Sequence, residues 1–527
     1  MKDYKKFLGV MIVIMLVSSI MSLISPIWLR VMGEKSQTLD IRQIIGIILL
    51  LLCTNLMNSL LVLYRENYAN KFNKENARRY IKDFLDMDYN KIIEEGPSNL
   101  LERIITAVTS IYAYMTVGYV NLWSSIIIAA ASIILLIRIN IIIVLLMLLY
   151  IPLMVVGFKC INNELKKRSM ELQAQTGAGF QEILSYIKEP DYYKQLSDTD
   201  SIIEKMNPSL DRIYDAMARI NKFAQTSSIT ISSLGTVLQN VIMLVMVYSF
   251  TQEKMSPYVL IIITIVIPLY FESITSITKA NIDKKSYDAA IELGQMIRNN
   301  REQSGEVSLE HIDRVSVDVE KILLQDKEIV FNAHAVLKKG DIGRIYGESG
   351  SGKSTFAKAL LKFRQLDGIK INEVSLNDIS NRSLRTYVEY VSQNIPIISG
   401  TLRDNLLFGK EYLDVEDDFF LNHPLLRTIV AGKSLDDEIF ENGANLSGGE
   451  KQKIAIARAL ISNPELLILD EVCSNIDAET SAEIYSMLEM ERNQRITIII
   501  SHDDLPTGFT NVDINQPSTG NMTLATK

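Results

Sequence analysis

Long apolar runs crowd into the part of the chain up to Ile277, and the part that follows mixes apolar and polar positions as a globular domain does. A run of about 20 apolar residues is long enough to cross a bilayer as a helix. The run Val120–Phe158 is too long for one span and is broken at Arg138-Ile139-Asn140, which is typical of a turn at a membrane surface. The pattern therefore predicts six spans: Phe7–Met32, Ile41–Tyr64, two within Val120–Phe158, Ile229–Phe250 and Tyr258–Ile277.

Lys and Arg cluster in the two long segments between spans two and three and between spans four and five. Positive loops stay in the cytoplasm, so we expect both segments, the N-terminus and the C-terminal domain on the cytoplasmic side of the cytoplasmic membrane. Each segment is long enough for two antiparallel helices that extend from the membrane into the cytoplasm. Each is broken midway, at Glu95-Gly96-Pro97-Ser98 and at Lys188-Glu189-Pro190-Asp191. A short crosswise helix at each break would contact another domain; a solvated turn is the alternative.

The length of 527 residues exceeds one ordinary domain, and we expect a membrane domain in residues 1–300 and a globular domain in residues 301–527. The net charge of −8 argues against a nucleic-acid partner, because such proteins carry a basic surface. Cys53, Cys160 and Cys473 lie far apart, which predicts reduced thiols and neither a disulfide framework nor a zinc site. The lipid bilayer is the partner that the composition favours.

A phosphate-binding loop is predicted at GESGSGKST, Gly347–Thr355, directly after the strand-like Arg344-Ile345-Tyr346. Glycines let backbone N–H groups turn inward around phosphate oxygens, and the helix that follows adds its positive dipole end. Lys353 is expected to reach the β- and γ-phosphates of ATP, and Ser354 to offer its hydroxyl to Mg²⁺. The predicted nucleotide-binding residues of this loop are Gly347, Ser349, Gly350, Gly352, Lys353, Ser354 and Thr355.

Two further apolar strands end in polar residues. LLILDE places Asp470 where it can hold Mg²⁺ and Glu471 where it can polarise a water for attack on the γ-phosphate. ITIIISH ends at His502, and because strand ends face the nucleotide in such domains we expect His502 to contact the γ-phosphate. A purely structural histidine is the alternative.

A second glycine-rich stretch, LSGGE, precedes the amphipathic stretch KQKIAIARALI. Ser447, Gly448 and Gly449 would then lie at a helix N-terminus and form a second anion site. The domain already has its phosphate loop, so the second site is best explained if it serves a nucleotide held by another chain.

The ordered motifs GESGSGKST, YVSQN, SGTLRDNLLFG, LSGGE, LLILDE, SNID and SH resemble those of a half-transporter of the ABC exporter family. The resemblance covers essentially the whole chain. It implies an all-α six-span transmembrane domain followed by an α/β P-loop ATPase domain with a helical subdomain. It also implies ATP-driven export by a dimer, formed with a second copy or with another half-transporter, in which LSGGE completes the ATP site of the opposite subunit.

The same resemblance assigns further roles. Glu471 is the implied catalytic residue, His502 the switch histidine and Asp477 an acid that faces the opposite subunit. Gln393 is the implied residue that senses Mg²⁺ and touches the two coupling helices, which the resemblance places at the breaks near Gly96 and Pro190.

Several positions depart from the family pattern. Leu323 or Leu324 stands where an aromatic residue usually stacks on adenine, SNID replaces SALD, and Glu450 stands where glutamine is common. The chain after His502 is short, and we expect it to lack the usual closing strands. None of these changes removes a catalytic group, so we expect active hydrolysis.

The substrate is the least determined part of the function. Polar or aromatic side chains within predicted spans are the candidates for a cavity, because a carboxylate in a span is costly and usually functional. These candidates are Trp123, Gln239, Asn240, Tyr270 and Glu272. Export of a small peptide, either modified or unmodified, is the leading hypothesis. Lipid or multidrug efflux, and an ATP-gated membrane regulator that moves nothing, are the alternatives.

Overall fold

The computed structural model describes residues 41–527 except 138, 188–192, 197, 253–256, 325–326, 349, 411–412, 414, 431, 441–442, 474–476, 502–511 and 515–527, together with scattered positions among residues 6–28. The chain forms two compact units. The N-terminal unit comprises Met1–Met87 and Glu95–Asn300, and the C-terminal unit comprises Asp88–Glu94 and Arg301–Lys527. Asp88–Glu94 thus groups with the C-terminal unit, although the sequence prediction placed it in the membrane domain.

The N-terminal unit is helical. Five helices among the described residues are long and apolar enough to cross a membrane, and they contain predicted spans two to six. Half of predicted span one, Phe7–Met32, falls outside the described residues, and the residues described within it are helical. The predicted break at Arg138-Ile139-Asn140 is confirmed, since one helix ends at Ile137 and the next begins at Ile141. Along this part of the chain the helices are α1 (Ile41–Leu85), α2 (Tyr89–Glu95), α3 (Pro97–Tyr112), α4 (Tyr119–Ile137), α5 (Ile141–Ile187), α6 (Asp200–Thr251) and α7 (Pro257–Asn299). Of these, α2 groups with the C-terminal unit through Glu94.

The long helices pack in two principal pairs, α4 with α7 and α5 with α6. Close approach of α5 and α6 depends on Gly235, since a Cβ there would lie 2.5 Å from Tyr150 Oη. A π-helical turn, Ala113–Gly118, joins α3 to α4. Tyr270 of α7 is fully buried, and its hydroxyl donates to Met147 O at 2.9 Å, which satisfies a polar group inside an apolar core.

The C-terminal unit is built on two sheets. A parallel sheet has the strand order β11-β3-β10-β9-β6, and an antiparallel sheet has the order β2-β1-β4-β5. Parallel central strands are buried on both faces and are therefore almost continuously apolar, as in β9 (LLILD) and β10 (ITIII), all of whose residues are buried. The strands are β1 (Arg314–Leu324), β2 (Lys327–Lys338), β3 (Ile342–Ile345), β4 (Ile369–Ile371), β5 (Val374–Ser375), β6 (Val388–Val391), β7 (Gly400–Thr401), β8 (Glu438–Ile439), β9 (Leu466–Asp470), β10 (Ile496–Ile500) and β11 (Val512–Asp513).

The strand β11 corrects one expectation. The chain was expected to lack closing strands after His502, but β11 pairs in parallel with β3. Ile514, directly after β11, is buried at 1% exposure and packs into the sheet core. The apolar side chain of Ile514 thus anchors a pairing of only two residues.

Helices surround the parallel sheet, and a helical subdomain with its own apolar core lies between β6 and β9. Leu402, Phe420, Leu426 and Ile454 are fully buried in this core. The helices of the C-terminal unit are α8 (Lys353–Leu360), α9 (Asn381–Tyr387), α10 (Leu402–Leu406), α11 (Asp417–Asn422), α12 (Arg427–Val430), α13 (Gly448–Leu460) and α14 (Ala478–Met490). The predicted α/β fold with a helical subdomain is confirmed.

Candidate nucleotide site

The predicted phosphate-binding loop joins β3 to α8. Its backbone takes positive φ values at Gly347 (146°), Gly350 (84°) and Gly352 (96°). Residues with a side chain rarely adopt such φ values, so the loop requires glycine at these positions. Gly352 is the N-cap of α8, so the first amides of that helix border the loop and provide donors for an anion.

Lys353 lies at the start of α8 and is buried at 4% exposure. Its Nζ donates to Gly347 O at 2.8 Å and to Glu348 O at 3.0 Å. Burial lowers the pKa of Lys353, and the nearby Glu471 and Asp470 carboxylates oppose that shift. The cation is thus held within the loop itself, where it can face a phosphate.

Ser351 provides an independent test of whether the loop fits a polyphosphate. Its Oγ is buried and has no hydrogen-bond partner among the described residues. A buried hydroxyl without a partner is costly, and a phosphate oxygen would satisfy it. Together with Lys353, this hydroxyl makes the loop chemically suited to the phosphates of a nucleotide.

Asp470, at the end of β9, is the centre of a hydrogen-bonded group. Its Oδ1 accepts from Ser354 Oγ at 3.2 Å, and its Oδ2 accepts from the Tyr390 hydroxyl at 2.8 Å. Asp470 is buried at 2% exposure. Carboxylate and hydroxyl oxygens are the ligands that Mg²⁺ prefers, so Asp470 and Ser354 fit that ion.

Tyr390 was missed by the sequence analysis. Burial raises the pKa of its phenol, and the charge of Asp470 and the hydrogen bond to it raise the pKa further; Tyr89 adds a smaller contribution. The signal lay in YVSQN: β6 and β9 are parallel neighbours with Tyr390 paired to Ile468. Side chains two residues apart share a face of a sheet, so Tyr390 and Asp470 lie on the same face.

Glu471 follows Asp470, and its backbone φ is 54°, a value that residues other than glycine rarely adopt. Its Oε2 accepts a hydrogen bond from Gln393 Nε2 at 2.8 Å. Strained backbone of this kind is concentrated at functional sites. The structure therefore brings Ser354, Gln393, Asp470 and Glu471 into one region beside the phosphate-binding loop.

The LSGGE stretch begins α13, as predicted. Ser447 is the N-cap: its Oγ accepts from Glu450 N at 3.2 Å, while Glu450 Oε2 accepts from Ser447 N at 2.7 Å. This reciprocal capping box fixes the N-terminus of α13. Gly448 has open space where a Cβ would lie, so a ligand can approach the backbone there.

Asp477 is the N-cap of α14. Its Oδ1 accepts from Thr480 N at 2.8 Å, and this bond to the backbone lowers the pKa of Asp477. A Cβ on Gly449 would lie 3.7 Å from Asp477 Oδ2, so the two helix starts adjoin each other. Within this chain, Gly449 therefore lies beside Asp477 and Thr480.

Some predicted positions are not described. Ser349, His502, residues 474–476 of SNID and the predicted second break at Lys188–Asp191 fall outside the described residues. Leu323 and Leu324 are the last residues of β1, but the placement of their side chains is likewise outside the described part.

The predicted cavity residues lie on three helices and differ in exposure. Trp123 of α4 is 47% exposed, and its ring packs edge-on against that of Tyr119 with the ring centroids 6.4 Å apart. Gln239 of α6 is half-buried, whereas Asn240 of α6 and Glu272 of α7 are exposed. Tyr270, described above, lies in the packed core of the helices.

Residues 330–474 match the family described as ABC transporter. The chain is 26% identical over 363 residues to the sublancin-168-processing and transport ATP-binding protein SunT of Bacillus subtilis, covering 66% of this chain and 50% of SunT. It is 38% identical over 173 residues to the ATP-dependent lipid A-core flippase 2 of Colwellia psychrerythraea, covering 32% of this chain and 30% of the flippase. The chain thus spans half or less of the length of these curated relatives.

The fold as a whole is similar to a solved structure. A bacterial Atm1-family ABC exporter with ATP bound superimposes with a TM-score of 0.82, at 18% sequence identity. The match covers 95% of this chain and 91% of that one. At this identity the similarity establishes the fold.

Proposed function

We propose that this chain, whose residues 330–474 belong to the ABC transporter family and whose fold is that of an ABC exporter, drives export with ATP. The protein would lie in the cytoplasmic membrane, with its N-terminus and ATPase domain in the cytoplasm. One observation carries the proposal: the C-terminal unit contains two different candidate phosphate sites. One site is formed by the phosphate-binding loop with Lys353, Asp470 and Glu471, and the other is the capped helix N-terminus at Ser447.

The residues beside the phosphate-binding loop have distinct tasks. Lys353 and the loop amides bind the phosphates, while Ser354, Asp470 and Gln393 would hold Mg²⁺. Glu471 accepts a proton from the attacking water, and Gln393 orients the Glu471 carboxylate through the 2.8 Å hydrogen bond. Bound Mg-ATP supplies the phosphoanhydride bond whose cleavage drives the cycle. His502, outside the described residues, is proposed to contact the γ-phosphate.

The N-terminus of α13 acts on the ATP of a second subunit. Ser447, Gly448 and Gly449 would bind its γ-phosphate, and Asp477, beside Gly449, would face the same subunit. The open space at Gly448 and the first-turn amides support this role. Two copies arranged head to tail then enclose two ATP molecules, and we propose a homodimer as the simplest assembly.

The helix α2 is proposed to couple ATP hydrolysis to the membrane helices. Asp88–Glu94 belongs to the C-terminal unit, and Tyr89 stacks on Phe363 with centroids 5.0 Å apart. The predicted break at Gly96-Pro97 follows directly, with α3 beginning at Pro97. A movement of the ATPase unit would thus reach α3 through a covalent connection.

For the substrate we propose a small peptide. The relative that processes and transports sublancin-168 supports this choice, while the lipid A-core flippase supports lipid as the alternative. Trp123, Gln239, Asn240 and Glu272 remain the proposed contacts. Tyr270 is fully buried, and its bond to Met147 O would hold α7 against α5.

Reconstituted vesicles test the proposal. Vesicles with outward-facing ATPase domains should accumulate a labelled peptide only when Mg-ATP is added, and Glu471→Gln should abolish accumulation. ATP hydrolysis with no accumulation of peptide, lipid or drug would contradict export and favour a membrane regulator. Accumulation of lipid alone would replace the peptide with the lipid substrate.

A further inference from the structure

Tyr390 connects the magnesium-binding carboxylate to the strand next to it. The Tyr390 hydroxyl donates to Asp470 Oδ2 at 2.8 Å, while Ser354 occupies Oδ1 at 3.2 Å. Each carboxylate oxygen thus has one side-chain donor. Asp470 is buried at 2% exposure, and a buried charge that loses a donor loses much of its stabilisation. The phenol of Tyr390 therefore restrains the rotation of the one carboxylate on this strand that would bind Mg²⁺.

We propose that Tyr390 is a positioning residue that orients Asp470 for Mg²⁺ through the hydrogen bond to Oδ2. The inference rests on the proposed function, since it assumes that Asp470 and Ser354 hold the ion of Mg-ATP. Tyr390 contacts neither the nucleotide nor the reacting atoms in this account. It acts on metal affinity through the Asp470 carboxylate.

The chemistry of the pair explains why a phenol is placed there. A Tyr hydroxyl donates a hydrogen bond without adding a positive charge, so Asp470 keeps its full negative charge for the ion. A Lys or Arg at the same position would compete with Mg²⁺ for the carboxylate. Phenylalanine would keep the aromatic packing on the core and remove only the donor, which makes it the matched substitution.

Manganese binding measured by electron paramagnetic resonance provides the test, because Mn²⁺ replaces Mg²⁺ and needs no hydrolysis. The full chain in detergent is titrated with Mn²⁺ in the presence of a non-hydrolysable ATP analogue. Tyr390→Phe should weaken Mn²⁺ binding about tenfold, the loss of one hydrogen bond to a charged group. Binding of the analogue in EDTA should stay unchanged, whereas general damage to the domain would weaken both.

Tyr387→Phe is the control, since Tyr387 packs against the same core and ends α9. It should leave Mn²⁺ affinity at the wild-type value. If Tyr390→Phe does not fold, Tyr390→Met removes the donor with a flexible apolar side chain and serves the same measurement. Equal Mn²⁺ affinity in the wild type and in a folded Tyr390 variant would overturn the inference. A wild type that binds no Mn²⁺ with the analogue would overturn the proposed function as well.

Discussion

Gln393 donates a hydrogen bond to Glu471 across 2.8 Å, from the residue that follows β6 by two positions to the residue that follows β9 by one. The two strands are parallel neighbours, so their carboxyl ends lie at the same edge of the sheet. The bond fixes a carboxylate whose backbone is in the left-handed region, with φ at 54°. A glutamate held in this way is oriented before the nucleotide arrives.

Replacing this carboxylate gives the first prediction. Glu471→Gln should keep ATP binding and lower the rate of hydrolysis at least about 100-fold, because the general base is lost while the shape of the side chain is retained. Phosphate release and binding of labelled ATP measure the two effects. Glu479→Gln, in the first turn of α14, is the control and should hydrolyse ATP normally. Near wild-type turnover in Glu471→Gln would refute the assignment.

The buried cation of the phosphate-binding loop gives the second prediction. Lys353→Ala should raise the dissociation constant for ATP at least about 100-fold, since Lys353 is the buried cation beside the loop carbonyls. Equilibrium binding of a fluorescent ATP analogue measures this effect. Lys370→Ala, at an exposed position of β4, should bind normally. Unchanged nucleotide affinity in Lys353→Ala would contradict the account of the loop.

The capped N-terminus of α13 gives the third prediction. Ser447→Arg should block hydrolysis without weakening the binding of ATP to the phosphate-binding loop of the same chain. The large side chain fills the approach to the α13 N-terminus, whereas Lys353 and its loop stay intact. Binding and turnover are measured on the same purified variant. Normal hydrolysis by a dimer in which both subunits carry Ser447→Arg would contradict a shared site.

The carboxylate of Glu450 gives the fourth prediction. Glu450→Gln keeps an acceptor for the Ser447 amide and removes a negative charge beside the proposed phosphate site. The ATP concentration for half-maximal hydrolysis should therefore fall about two- to fivefold at low salt, and the difference should shrink at high salt. Glu438→Gln, exposed on β8, is the charge-matched control. A rise in that concentration would show that the capping box matters more than the charge.

The pH dependence of stability gives the fifth prediction. His423 is buried, burial lowers its pKa, and its Nδ1 accepts from Leu425 N at 3.3 Å. The folded state keeps this imidazole neutral, while the unfolded chain takes up a proton below about pH 6.5. Stability contributed by neutral His423 is thus present above that pH and is lost as the pH falls from there towards the lower folded pKa.

Thermal unfolding midpoints measured between pH 7.5 and 5.5 test whether stability falls on acidification because of His423. The wild type and His311→Gln, whose histidine is exposed, should both lose stability on acidification. His423→Gln should show a flatter dependence, because the titrating group is removed from the helical subdomain. An identical slope in His423→Gln and the wild type would show that other groups control the effect.

The membrane half was predictable because its signals are local. Apolar runs predicted where α5, α6 and α7 lie, and the turn between Ile137 and Ile141 follows from three residues that break one run. The break at Gly96-Pro97 indicates a short helix that contacts another domain, but it does not indicate which residues group with the C-terminal unit. That grouping depends on a stacking contact with Phe363, far away in the sequence, and no run of residues encodes the contact.

The ATPase half shows the same division between local and distant information. The phosphate-binding loop and the start of α13 follow from glycine spacing and capping residues, which act within a few positions. Tyr390 was missed because its partner depends on the register between β6 and β9, a property of the folded sheet. The pairing of β11 was missed because two residues and the buried Ile514 leave almost no pattern along the chain.

Native mass spectrometry of Glu471→Gln with Mg-ATP tests the central claim, that each ATP site is completed by a second copy of the chain. We expect a dimer carrying two ATP molecules, and adding Ser447→Arg to the same protein should leave ATP-bound monomers. A Glu471→Gln protein that binds ATP and stays monomeric would contradict the homodimer. A dimer that persists with Ser447→Arg would contradict the role of α13.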